Sequence, residues 1–303
     1  MRIVVLAAAI AVLLCPAEAG AVLVYQRGAD ETLHDAPIVV ARNNGTHPRV
    51  VAHGFGPQIS ATGRRLTYLV LNGRDALYEV GVDGANRRRL TFHVMPSVPP
   101  RGVAWSPDDR YVVTASDEFG VRLVDRQRRK AFSRGPGSYA GASFAPDGER
   151  YAVESGGTEG AVVVDPVERG RSVSVWSGVR PVWGGPGIAF GREHKVLLRR
   201  RIGGPARTLM TEPFPSISPV DWSANGHRLV VFENPPRAPA RAAVIGLESK
   251  KVTRIPVPVS SVTGISNDGH DVLAEQDGDI VLLRLDGTRR VLVPNATFAT
   301  WTK

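Results

Sequence analysis

Apolar residues in this chain come in short runs punctuated by Pro, Gly, Asp and Asn. The stretch from Trp105 through Ser106, Pro107, Asp108 and Asp109 into Tyr111-Val112-Val113 reads as strand, tight turn, strand. Proline presets the turn dihedral and aspartate hydrogen-bonds its own backbone. The pattern recurs. Ile59 to Gly63 leads into Leu66-Thr67-Tyr68, Phe144 to Gly148 into Tyr151-Ala152-Val153, Trp222 to Gly226 into Leu229-Val230-Val231, and Ile265 to Gly269 into Val272-Leu273-Ala274. A worn copy is read from Phe190 into Val196-Leu197-Leu198, and Trp301 begins one more copy at the end of the chain.

The leading apolar residues at 59, 105, 144, 190, 222, 265 and 301 lie about 40 residues apart, the period of a four-stranded propeller blade. Each unit carries a second hairpin signal. Ala76 to Val80 precedes Asp83-Gly84, Val121 to Val124 precedes Asp125-Arg126, and Ile280 to Leu283 precedes Asp286-Gly287; Asp-Gly between alternating runs favours a tight hairpin. The unit is therefore strand A, a Pro-Asp-Gly-like turn, strand B, a variable loop, strand C, a turn, strand D. Seven leading residues predict an all-β, seven-bladed β-propeller of four-stranded antiparallel blades. A six-bladed reading, with the weakly marked region at about 178–216 as an insertion, stays open. Val22 to Tyr25 reads as a strand B, Ile38 to Val40 and Val50-Val51 as C and D, and Ala296 to Trp301 as a strand A. Pairing of these N- and C-terminal strands would complete one blade and hide the edges of an open array.

The N-terminus departs from the pattern. Arg2, an apolar run from Ile3 to Leu14, then Cys15 and Ala17-Glu18-Ala19 have the layout of a secretory signal peptide, expected over residues 1–19. The run is short for a bilayer span of roughly 20 residues; an N-terminal anchor helix is the alternative. Residues 20–303 are expected to form one propeller domain, periplasmic or secreted. The mature part has no cysteine, so its core must suffice without disulfides.

The Trp-Ser-Pro-Asp turn, the Asp-Gly turn and the following Arg88-Arg89-Leu90-Thr91 resemble the repeats of TolB-like, WD-repeat-like propellers over about residues 21–303. In TolB itself an α/β domain precedes the propeller and meets envelope partners; that domain has no counterpart expected here. The resemblance implies an exported, non-catalytic module that binds protein or ligand in the cell envelope. The alternative is a metal-dependent, lactonase-type propeller hydrolase with its site at the channel mouth, built from carboxylates converging from several blades. No Gly-x-Ser-x-Gly elbow and no His-Glu-x-x-His motif is present. No catalytic residue, metal or cofactor is assigned, and a monomer is expected.

The net charge of +9 shapes the remaining expectations. In a propeller the A–B and C–D turns share one face, and the B–C and D–A loops share the other, the mouth. Arg87, Arg88, Arg89, Arg128, Arg129 and Lys130 fall on the C–D side and predict a basic rim for an envelope protein or an anionic surface component, with no nucleic acid expected. The plainer possibility is that these arginines pair with Asp108, Asp147 and Asp268 of the A–B turns and only solubilise the face. Glu118, Glu154, Glu159, Glu233, Glu275 and Asp277 fall near the mouth. Of these, Glu154, Glu233 and Glu275 are binding candidates, together with Trp176 and Trp183. The two tryptophans are read as lying in a Pro/Gly-rich mouth loop, away from the repeat position, with Trp183 the first choice.

Overall fold

The computed structural model describes residues 21–28, 35–71, 75–92, 102–116, 120–134, 139–156, 160–168, 172, 174–214 and 216–302. Residues 1–19, the expected signal peptide, lie outside this set.

Seven blades are numbered along the chain. Blade 1 takes strand A from Ala296–Trp301, B from Val22–Arg27, C from Ala36–Arg42, and D from the first half of Arg49–Ile59. Blade 2 uses the second half of that strand as A, then Arg65–Val70, Ala76–Gly81 and Arg88–Phe92. Blade 3 is Val103–Trp105, Tyr111–Ser116, Gly120–Asp125 and Lys130–Ser133, and blade 4 is Tyr139–Phe144, Arg150–Ser155, Ala161–Pro166 and Ser174–Ser177. Blade 5 is Val179–Gly184, Gly187–Arg192, Lys195–Arg199 and Ala206–Thr211. Blade 6 is Ile217–Trp222, Arg228–Glu233, Arg241–Gly246 and Val252–Pro258, and blade 7 is Ser261–Ile265, Asp271–Gln276, Asp279–Arg284 and Arg289–Val293.

Each strand A touches the strand A before it and the one after it, so the seven inner strands close a ring. The closing strands pair as the sequence predicts: Leu23 faces Trp301 and Val24 faces Thr300.

The core divides into seven clusters, one at each junction between neighbouring blades. This explains why strand B reads as an unbroken apolar run. Leu229 and Val231 pack toward blade 5 while Val230 packs toward blade 7, so both faces of the sheet are buried. Strand D is the outer edge of each blade. There Arg, Lys and Pro interrupt the apolar positions, as in Lys130–Ser133, Arg289–Val293 and Val252–Pro258, and blunt an otherwise sticky edge.

The leading residues are wedges between blades. The indole N–H of Trp105 donates to the Gln58 carbonyl of blade 2 at 3.3 Å, and that of Trp222 to the Val182 carbonyl of blade 5 at 3.1 Å. Gln58 is the residue before the leading Ile59. By the same bond Val182 precedes the leading residue of blade 5, which is therefore Trp183. Phe190 lies in strand B and Val196 to Leu198 in strand C. The worn copy is a full blade with its register one strand earlier than the sequence reading. Its A–B turn is shortened to Gly184-Gly185-Pro186-Gly187, with Gly184 directly opposite Gly187.

The A–B turns are closed by their own side chains. Asp108 Oδ1 accepts from the Ser106 hydroxyl at 2.6 Å and the Arg110 N–H at 3.0 Å; Asn225 and Asp268 make the same two bonds in blades 6 and 7. At the next position Gly63, Gly148, Gly226 and Gly269 take φ between +70° and +77°, but blade 3 has Asp109 there, at +56°. Its carboxylate reaches across to blade 2 and accepts from the Ser60 hydroxyl at 2.8 Å, the Thr62 N–H at 3.2 Å and the Thr62 hydroxyl.

Candidate functional site

The mouth face is built around a bulge that recurs in strand A. In three blades the N–H of a left-handed bulge residue is taken by a side chain from strand B of the preceding blade. Gly56 donates to Gln26 Oε1 at 3.2 Å, Arg180 to Glu154 Oε2 at 2.8 Å, and Phe298 to Glu275 Oε1 at 2.5 Å. Glu154 and Glu275 are one repeat position, ten residues after Phe144 and Ile265. Glu233 lies one step further along strand B and is fully buried. Arg241 holds it at 2.6 Å and Arg254 at 3.2 Å, and Arg254 also pairs with Glu212. All three candidate glutamates thus carry bonds within or between blades. Among the described residues no group of three or more His, Cys, Asp or Glu side chains is placed to hold a metal ion. Glu118 and Glu159 lie outside the described residues.

The tryptophans sit in strands, a correction to their expected place in a loop. Trp176 is in strand D of blade 4, its ring 5.8 Å from Phe190 of blade 5, with the Arg199 guanidinium 4.6 Å over its face. Trp183 is in strand A, half-buried against the same junction. The run from Trp176 to Gly187 is a strand, a link and a hairpin. It looked like a loop because Gly and Pro serve here as bulge and turn residues.

The turn face carries many of the exposed cations, beside the exposed carboxylates of its turns (Asp83, Asp108, Asp147, Asp268 and Asp286). Arg87 stacks over Tyr78 at 5.2 Å and Tyr68 at 5.7 Å. Arg88 and Arg126 both pair with Glu79, which is fully buried, and Arg65 stands 3.6 Å from it. Burial pushes the Glu79 carboxyl up, but hydrogen bonds from Arg126 and Arg88 outweigh it and hold the pKa below the ordinary value. Arg110 and Arg128 flank Asp125 at 3.1 and 3.8 Å. Burial likewise raises Asp125, while backbone N–H bonds from Arg128 and Gln127 and the Arg110 guanidinium bring it down. Arg88 and Arg128 pair with Glu79 and Asp125 rather than with Asp108, Asp147 or Asp268. Those carboxylates cap their own turns, and the partners are Glu79, Asp125, Asp271 and Asp279 instead. Arg89, Arg129 and Lys130 are exposed.

The corrected register adds cations that the sequence reading missed. Arg199 ends strand C of blade 5, and Arg200 and Arg201 lie exposed in its C–D turn. The spacing held the signal. With Trp183 as leading residue the intervals from Phe144 and to Trp222 are equal, whereas Phe190 divides the same stretch unevenly. Between blades 6 and 7 the turn face holds two adjoining hollows of about 400 Å³ each, which meet at Leu285 and Asp286. Arg228, Ser249 and Lys251 line one side, and Asp268, His270 and Arg284 the other. Arg228 bridges them, donating to the Gly269 carbonyl at 2.9 Å.

The solved structures this chain is similar to include propeller proteins. TolB from Acinetobacter baumannii superposes with a TM-score of 0.60 at 15% identity, covering 93% of this chain and 66% of that one. The periplasmic gluconolactonase of Pseudomonas aeruginosa gives 0.62 at 14% identity, covering 93% and 99%. An oligogalacturonate lyase in complex with manganese gives 0.59 at 14% identity, covering 88% and 82%. At such identities the likeness shows the fold alone. No protein-family model matches the chain, and no curated protein sequence matches it. Among the described residues no helix is long and apolar enough to cross a membrane.

Proposed function

We propose that this chain is a non-catalytic binding module of the cell envelope, exported by its N-terminal segment, which holds an anionic component on its turn face. One observation carries the reading. On that face the exposed cations recur from blade to blade (Arg129 and Lys130, Arg200 and Arg201, Lys250 and Lys251, Arg290), and no ion pair joins them among the described residues. Turns presented by a rigid ring are a common place for recognition. The commitments of Glu154, Glu233 and Glu275 on the other face favour this reading over a metal-dependent hydrolase, because their oxygens already serve protein donors.

The test is a pull-down from an envelope fraction with the tagged chain at low and high salt, beside elemental analysis and a turnover assay on lactones and uronate oligomers. A retained anionic component released by salt is the expected result. A stoichiometric divalent metal together with turnover would overturn the module in favour of the lactonase-type enzyme.

A further inference from the structure

We infer that the turn face is shaped to lie flat against an anionic lipid bilayer. This rests on the module reading above and names its partner. The first argument is the layout of the charge. The unpaired cations are spread around the ring rather than drawn into one stripe. Arg129 and Lys130 belong to blade 3, Arg200 and Arg201 to blade 5, Lys250 and Lys251 to blade 6, and Arg290 to blade 7. A linear polyanion follows a stripe and reaches one sector of such a ring. A plane of headgroups reaches every sector at once.

The second argument is where the chain enters the ring. Strand B of blade 1 begins at Val22, and strand B always starts on the turn face. The neighbours agree. The Ala21 carbonyl accepts the N–H of Asn43 in the C–D turn of blade 1, and Thr302, which bonds Val22, lies against Gly63 in the A–B turn of blade 2. The apolar run from Ile3 to Leu14 is joined to this point by seven residues, at most about 25 Å of chain. For as long as that run stays attached and occupies a bilayer, the membrane is on the basic side.

The third argument concerns the mode of contact. The large apolar residues most exposed among those described are Val50, Val175 and Val291, all on strand D rather than in the turns. Attachment by this face is therefore electrostatic, without wedges that enter the acyl region, and it must weaken with salt.

The experiment is flotation of residues 20–303, which hold the whole closed ring, with vesicles of phosphatidylcholine alone or with one third phosphatidylglycerol, at about 0.05 and about 0.5 M salt. Binding to the anionic vesicles is expected to exceed that to the neutral ones roughly a thousand-fold at low salt and to collapse at high salt. Three double variants at exposed positions report the geometry: Arg129→Gln with Lys130→Gln, Arg200→Gln with Arg201→Gln, and Lys250→Gln with Lys251→Gln. Each should weaken anionic binding by a similar factor, roughly ten-fold. Equal flotation with neutral vesicles would overturn the inference, since attachment would then not depend on the charge of the lipid. So would a loss confined to one variant with tighter binding to soluble alginate, the mark of a linear polyanion, and in that case the module reading survives. Binding to neither vesicle nor polymer overturns the lipid inference, and the module reading then stands or falls on the pull-down.

Discussion

Two junctions of the ring solve one packing problem with opposite chemistry. Between blades 2 and 3 the buried Glu79 carboxylate gathers Arg88 and Arg126, and Asp109 ties the two A–B turns together. Between blades 4 and 5 the contact is aromatic: Trp176 on Phe190, with Arg199 laid over the indole face. Both junctions keep a small apolar cluster of similar make-up. The difference lies in what surrounds it. At the first, the polar groups outside the cluster are paired ions whose loss leaves a charge uncompensated. At the second, a large ring covers the cluster and a guanidinium lies over that ring. A repeat fold tolerates both because each junction meets only its two neighbours.

The largest expected effect breaks the first junction. Glu79→Ala removes the partner of Arg126, whose side chain is only 10% exposed; breaking a buried pair from one side costs about 3–5 kcal/mol. Urea unfolding followed by circular dichroism measures it. The pH dependence has a defined sign. The folded pKa of Glu79 lies below its unfolded value, so its contribution is present above the unfolded pKa of about 4.3 and is lost as pH falls through the folded pKa. The melting temperature of the native chain should therefore fall more steeply on acidification than that of Glu79→Gln. Parallel pH curves would show that the carboxylate contributes nothing to the junction.

Trp176→Ala tests the aromatic junction and should cost about 2–3 kcal/mol, less than a fully buried ring because Trp176 is only partly buried. Unlike the Glu79 effect, this loss should be insensitive to acidification. Trp176→Phe sharpens the point. The indole N–H is buried without a partner, so its removal should recover most of the loss. An unchanged stability in Trp176→Ala would return this residue to the ligand-contact role that the sequence suggested.

The difference between the junctions also marks how far the sequence could be read. The A–B turn is local chemistry repeated: Ser, Asp or Asn, and Gly at fixed offsets, each bonding within five residues. One sequence displays that, and with it the blade count and the closure by Ala296–Trp301. Blade 5 was misread because its turn is two residues shorter and lost those markers, while Phe190 offered an aromatic at a plausible place. The strand D segments were faint because an edge strand mixes charge with its apolar residues. The ion pairs were invisible for another reason. Arg126 reaches Glu79 across 47 residues and a change of blade, and nothing local says which of the many arginines will arrive. The same holds for Glu154 and Glu275. As isolated carboxylates near a mouth they read as ligands, and only the bulge in the neighbouring strand A shows what they hold.

The smallest effect separates backbone from side chain at Asp109. Its φ of +56° suits glycine, as the other copies have it, and a non-glycine residue there costs roughly 1–2 kcal/mol. Its carboxylate offsets that cost by accepting from Ser60 and Thr62 of blade 2. Asp109→Ala keeps the strain and loses the bonds, so a loss of about 2 kcal/mol is expected. Asp109→Gly loses the bonds but relieves the strain, and should fall short of native by only about 1 kcal/mol or less. The decisive quantity is the gap between the two variants in urea midpoint at equal slope. A gap near zero would mean that the left-handed conformation carries no cost here. Asp109→Gly below Asp109→Ala would mean that the turn of blade 3 is set by its neighbour and not by its own dihedrals.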